Sequence, residues 1–194
     1  MATTLTGNAL LLDSLRRRMR AMHSLYEDAL ATMGPEHVNH FEREGVLPIA
    51  FSLFHYTNMQ DTSGAVISGE PVVWSEAWQA RVQMAIDDHG KERPVSDMVD
   101  QRIGDYEAFG EYQRAVFART EAWLAGLDPA ELDRVLIPRP LPPVVASTFS
   151  ARVAGDDGIT VLDAIECWLY QHGLRHMGEI ELARGLVGLG GMTS

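Results

Sequence analysis

Apolar residues return at every third or fourth position through four separate stretches of this chain, and no other feature limits its fold so severely. That spacing lays side chains along one face of an α-helix, whereas a strand needs strict alternation. In the first stretch, Leu10 to Met33, the stripe is Leu11, Leu15, Met19, Met22, Tyr26, Leu30 and Met33, and Gly34-Pro35 stops it. The second runs from Leu47 to about Val66, with Pro48 suited to the first turn and Gly64 near its end. The third, Tyr106 to Leu127, carries Tyr106, Phe109, Tyr112, Val116, Arg119, Trp123 and Leu127. The fourth opens at Thr160, whose hydroxyl three residues ahead of Asp163 forms a capping arrangement, and ends around Val187-Gly188. Little of the chain alternates as strands do. The expected class is all-α, a four-helix bundle in a single domain over residues 1–194.

The connections sharpen this. Roughly forty residues, Ser68 to Asp105, separate helices two and three, against the two to eight of an antiparallel hairpin. A gap of that size allows a crossover that leaves these two helices parallel. Within it, "WSEAWQARVQMAIDDHG" predicts a helix from Ser75 to Asp88, with Trp74 and Trp78 plugging one end of the bundle. "PEHVNHFEREG" adds an extra turn or a short helix before helix two. After helix three, Asp128 caps a short helix with Pro129 at its first position. The following "IPRPLPPVV" is expected to be non-helical and extended over the surface.

Charge and cysteine content exclude several functions. The formal net charge of −11 repels a phosphate backbone, so nucleic acid is not an expected partner. The arginines of "LRRRMR", Arg16 to Arg18 and Arg20, read as the solvated face of the first helix. No run approaches the roughly 18 apolar residues of a membrane span, and the first residues lack the order of a signal peptide. A single cysteine, Cys167, permits no intrachain disulfide and suits a reducing compartment, so a cytoplasmic protein is expected. Cys167 itself reads as a small buried residue of the last helix.

On helix four the core stripe counts out as Leu162, Ile165, Leu169, His172, His176, Ile180, Ala183 and Val187. Two histidines therefore stand where leucine is expected, with Cβ atoms about 6 Å apart. Burying imidazoles is costly, on the order of 1–3 kcal/mol for each unsatisfied group. A shared metal ion satisfies one nitrogen of each, and H-x-x-x-H on a helix brings both rings to one ion. His55, on the inner face of helix two with Phe51, Asn58 and Met59, is the best candidate for a third ligand. Glu179, one turn beyond His176, is placed to hydrogen-bond a ligand, to act as a general base, or to neutralise Arg175 or Arg184. Asp61 is a weaker polar candidate. His37 and His40 read as surface or rim, His89 as a loop residue and His23 as a flank of helix one.

The stretches "FHYTNMQD", "DPAELDRVL" and above all "HGLRHMGEI" resemble the DinB/YfiT-like metalloenzymes, a family of helical-bundle proteins that includes thiol-dependent S-transferases. The name is shared with a polymerase, which is a different protein. The resemblance spans the chain from helix one onward. It implies an up-down-down-up bundle with a divalent metal, zinc or nickel, held by His55, His172 and His176, and a homodimer. It also implies attack on an electrophilic carbon by a low-molecular-weight thiol such as mycothiol, bacillithiol or glutathione. Relatives often read H-x-G-Q-I where this chain has Glu179, which adds negative charge beside the ion. Metal-dependent hydrolysis of a small molecule, with Glu179 or Asp61 as base, is the competing enzyme reading. A non-catalytic metal-binding or ligand-binding bundle is the other alternative.

Overall fold

A computed structural model describes residues 7–192. Along the chain its helices are α1 (Gly7–Thr32), α2 (Pro35–Val38), α3 (Ile49–Ser68), α4 (Glu76–Val82), α5 (Val95–Met98) and α6 (Tyr106–Gly126). A 3₁₀ turn (Pro129–Asp133) then leads to β1 (Val135–Pro138), α7 (Pro143–Ala146), α8 (Phe149–Val153) and β2 (Gly158–Thr160). The last long helix starts as α9 (Val161–Ala164), is wound as a π-helix over Ile165–Gln171, and continues as α10 (His172–Leu186). The protein is thus mostly helical, as the periodicity implies. None of its described helices is long and apolar enough to cross a membrane.

Side-chain pairings give the directions of the long helices. Arg16 bonds the Leu124 carbonyl while Tyr106 bonds that of Leu30, so α1 and α6 run in opposite senses. Thr57 meets Gln113 and Gln60 meets Thr120, so α3 and α6 run in the same sense. Ser52 meets Glu179 and Tyr56 meets the Leu169 carbonyl, which opposes α3 to the last helix. The residues buried between them include Tyr26, Tyr56, Tyr112, Phe54, Phe109 and Phe117. Each tyrosine hydroxyl has an acceptor, at Gly173 O, Leu169 O and Asp61 Oδ2 respectively, so these large rings leave no unsatisfied polar atom behind.

Most of the counted core positions are buried, and the departures fall mainly toward the helix ends. In α1 the face begins at Leu12, with Leu11 exposed, and in α6 it ends on Leu124, with Trp123 only partly covered. On the last helix the buried residues are Val161, Ala164, Ile165, Cys167, Leu169, His172, Gly173, Met177, Ile180 and Arg184. The π segment, with its i→i+5 hydrogen bonds, leads directly into His172 and Gly173, which are both buried. A Cβ on Gly173 would lie 2.3 Å from Met22 Sδ and 2.6 Å from the Tyr56 hydroxyl oxygen, so glycine lets three helices meet there.

The crossover between α3 and α6 is held by buried polar anchors. Asp61, fully buried, accepts the Val73 and Trp74 backbone N–H groups at 2.9 and 2.8 Å and pairs with Arg119 at 2.9 Å. Its helix is shorter than expected, Glu76–Val82 rather than Ser75 to Asp88. Ser75 caps it, and it ends where Gln83 turns left-handed, before Met84 bridges to Ile103. Trp74 and Trp78 pack on Tyr112, and Trp74 also on Phe54, over the seam between α3 and α6.

The proline-rich stretch departs from its expected form. Instead of running extended throughout, it pairs β1 antiparallel with β2, Ile137 opposite Ile159, and then makes the single turn α7 with Pro143 in the first helical turn. A proline there forfeits no intrahelical bond. Thr160 caps the last helix and forms the capping box with Asp163, and Asp128 caps the turn at Pro129, both as expected.

Candidate metal centre

His172 and His176 sit one turn apart at the start of α10, and α3 brings His55 against them. Ring centroids lie 4.6 Å apart for His172 and His176, 4.7 Å for His55 and His176, and 5.4 Å for His55 and His172. One ring nitrogen from each falls within 4.8 Å of the others, a group able to hold a metal ion. Gly173 is buried between the helices, and His172 stands next to it. His172 is buried and His176 keeps 12% of its side chain exposed.

The second nitrogen of each ring is already engaged. The ionised Glu179 carboxylate can only accept, so His176 Nδ1 donates to its Oε2 at 2.7 Å, and Ser52 donates to the same oxygen at 3.1 Å. His55 Nδ1 donates to the His89 backbone carbonyl. His172 hydrogen-bonds the Trp168 backbone one turn earlier, in a contact that favours its protonated form and therefore ends on the carbonyl. A neutral imidazole that donates from Nδ1 carries its lone pair on Nε2. His172 Nε2 and His176 Nε2 face each other across 2.9 Å, a separation that one shared proton or one shared cation can bridge. Two nitrogens each about 2.0–2.1 Å from one ion are themselves roughly 3 Å apart.

Electrostatics keeps the rings in the state that binds metal. Burial, the dominant cause, lowers His55 to about 4, although the His89 carbonyl pulls the other way. Burial also lowers His172 to about 3, with the neighbouring His176, His55 and Arg175 acting in the same direction. Glu179 is lowered, chiefly by its hydrogen bond to His176. Near neutral pH the site therefore holds two buried neutral imidazoles and a carboxylate that orients a third.

A cavity of about 420 Å³ opens beside His55 and His172. Met59, Thr62, Ser63 and Val66 of α3 form one wall, and Cys167, Trp168 and Arg175 of the last helix another. The proline-rich stretch supplies the third, through Ile137, Val144, Val145, Thr148, Phe149 and Ser150. The Trp168 indole N–H donates to Ser150 Oγ at 2.9 Å and ties that wall to the helix. Cys167 is a cavity residue as well as a buried one, but burial raises its thiol to about 11 and keeps it protonated.

Other sequence candidates separate from this cluster. Asp61 is consumed by Arg119, Tyr112 and the crossover backbone, which removes it as a base at the histidines. Glu179 pairs with neither arginine: Arg184 bonds Thr32 and the Gly190 carbonyl. His37 accepts from the Gly34 N–H and His40 pairs with Glu42, so neither joins the group. His23, read as a flank, is buried, stacked on Phe117 at 3.9 Å and bonded to Glu121 and Gln60. The contribution of His89 was missed because its backbone carbonyl, not its side chain, does the holding.

The comparisons agree with the helical fold. A crystal structure of a conserved protein from Enterococcus faecalis superposes with a TM-score of 0.70 over 91% of this chain and 96% of that one, at 13% identity. No curated protein matches the sequence. The family model of the DinB superfamily matches residues 18–180, which reach into all four long helices and include all three histidines, and the chain belongs to that superfamily.

Proposed function

We propose that this is a metal-dependent enzyme in which His55, His172 and His176 hold one divalent cation, zinc or nickel, inside an up-down-down-up four-helix bundle. The observation that carries the reading is the set of three imidazoles whose outer nitrogens are all taken by acceptors, so that their free nitrogens converge. Three neutral histidines leave coordination positions open, the pattern of a catalytic rather than a closed structural site. A cation bound there supplies Lewis acidity and lowers the pKa of a thiol or water that reaches it.

Each residue has a distinct task. Glu179 and Ser52 fix the His176 ring, and the His89 and Trp168 carbonyls fix the other two. Tyr56, fully buried with its ring 5.9 Å from that of His172, closes the site from behind and keeps water from the core side. The cavity on the open side receives a small molecule. Of the reactions compatible with this arrangement we favour S-transfer: a low-molecular-weight thiol gives up its proton to solvent, its sulfur bonds an electrophilic carbon, and the leaving group departs with its electron pair. Cys167 does not supply that thiol, being buried and protonated. Hydrolysis is less well supported, because Asp61 is committed elsewhere and Glu179 is already the partner of His176.

Metal content measured by mass spectrometry on protein purified without a histidine tag tests the reading, beside a His172→Ala, His176→Ala double variant. About one ion per chain in the parent and none in the variant is expected. A parent that stays empty after incubation with zinc and nickel overturns it. Turnover of the loaded protein with glutathione, bacillithiol or mycothiol and an alkylating probe such as monochlorobimane then separates S-transfer from hydrolysis or inert binding.

A further inference from the structure

The cavity beside the histidines is apolar along most of its length and cationic at one end. Met59, Val66, Val144, Val145 and Phe149 give it an apolar lining, and Val66, Val144 and Phe149 are exposed at 60%, 67% and 47%. Large apolar side chains exposed around one concavity mark a binding surface. The charged residues of the lining are Lys91 and Arg175, both exposed, and among the described residues neither side chain has a salt-bridge or hydrogen-bond partner. Lys91 is the only lysine in a chain whose formal charge is −11. Two unpaired cations on one cavity run against the charge of the whole molecule.

Both cations stand at the histidine end. Arg175 lies one turn beyond His172, and its charge acts on that ring. Lys91 follows by two residues the His89 carbonyl that holds His55. The loop places it there because Gly90 is left-handed, at φ +73°, and a Cβ at that position would fall 2.8 Å from the Phe51 ring. Among the described residues no carboxylate lines the cavity to compete with a bound anion.

We infer that the cavity takes an anionic amphipath, a small molecule whose acidic group lies beside the histidines between Lys91 and Arg175 while its apolar body rests on Met59, Val66, Val144, Val145 and Phe149. This rests on the reading of the cavity as the substrate site and narrows it to one substrate class. Charge-assisted hydrogen bonds fix the head group, and apolar burial holds the tail. A neutral or cationic molecule with the same tail lacks the first of these.

Isothermal titration calorimetry below the micellar range tests this, with decanoate, decanol and decyltrimethylammonium as probes. Each is titrated into chelator-treated protein and into the same protein with zinc restored. Decanoate is expected to bind about tenfold or more tighter than decanol in both forms, with decyltrimethylammonium weakest. A Lys91→Gln, Arg175→Gln double variant should lose the preference for decanoate and keep its affinity for decanol. Both side chains are exposed and unpartnered, so the variant is expected to keep the parent's circular dichroism. Val145→Asn, which adds no charge, should weaken decanoate and decanol alike. Equal affinities for decanoate and decanol in the parent overturn the proposal, as does a preference that survives the double variant. A preference seen only with zinc and unaffected by the double variant also overturns it, because the ion then does the recognising. If instead the protein retains no ion yet the chelated form still prefers decanoate, the metal reading fails and this one stands.

Discussion

At the scale of single residues the histidine pair was legible because helical spacing alone places His172 and His176 side by side, and His55 followed from its place on an inner face. What orients them was half legible. Glu179, three residues beyond His176, is visible in sequence as a partner, while the carbonyls of His89 and Trp168 leave no side-chain signature. Glu179→Gln keeps the shape but presents a weaker acceptor to His176 Nδ1, and Ser52 loses an anionic one. Metal affinity is expected to fall by about 10- to 100-fold, read by competition with a chromophoric chelator, with little change in fold. The lowered His55 and His172 values set a pH dependence in the metal-free protein. Above the unfolded value near 6.5 both states carry neutral rings and the two contribute no slope. As pH falls from there toward 4, the unfolded chain takes up protons that the folded chain refuses, so stability declines. The urea midpoint of chelated protein should therefore drop between pH 7 and pH 5, and a His55→Ala, His172→Ala variant should drop less.

Among elements, the four long helices follow from periodicity, but which residue stands at the centre of each face does not. The π segment shows why. It leads into Gly173, which packs against Tyr56 and Met22, a tertiary condition that no local pattern encodes. Gly173→Ala is expected to force these neighbours apart and to destabilise the protein by about 1–3 kcal/mol, measured as a lower urea midpoint. A glycine retained only for flexibility would show the opposite, since alanine favours a helix interior. The proline-rich stretch was misjudged for a related reason. Prolines forbid an interior helix, but they permit a strand at a sheet edge and a helix begun on proline, and those are the forms it takes along the cavity. Asp61 reads in sequence as a free acid because its partners, the Val73 and Trp74 amides, are backbone groups of a crossover with no regular pattern.

Over the whole molecule, the long connection between helices two and three was the legible feature and its route was not. The connection lets α3 and α6 run in the same sense, and it also carries the loop at His89 to the far side of His55. The histidine group thus joins His55 to a pair, His172 and His176, more than a hundred residues further along the chain. An ion shared among them behaves as a removable cross-link that closes a very long loop, stabilising the folded chain in proportion to its own occupancy. With zinc at about 100 times its dissociation constant, the linkage is worth about 2.7 kcal/mol. Thermal unfolding should move upward with added zinc in the parent and stay fixed in the His172→Ala, His176→Ala variant. The same ion that would activate a reactant would then also set how firmly α3 and α10 are tied together.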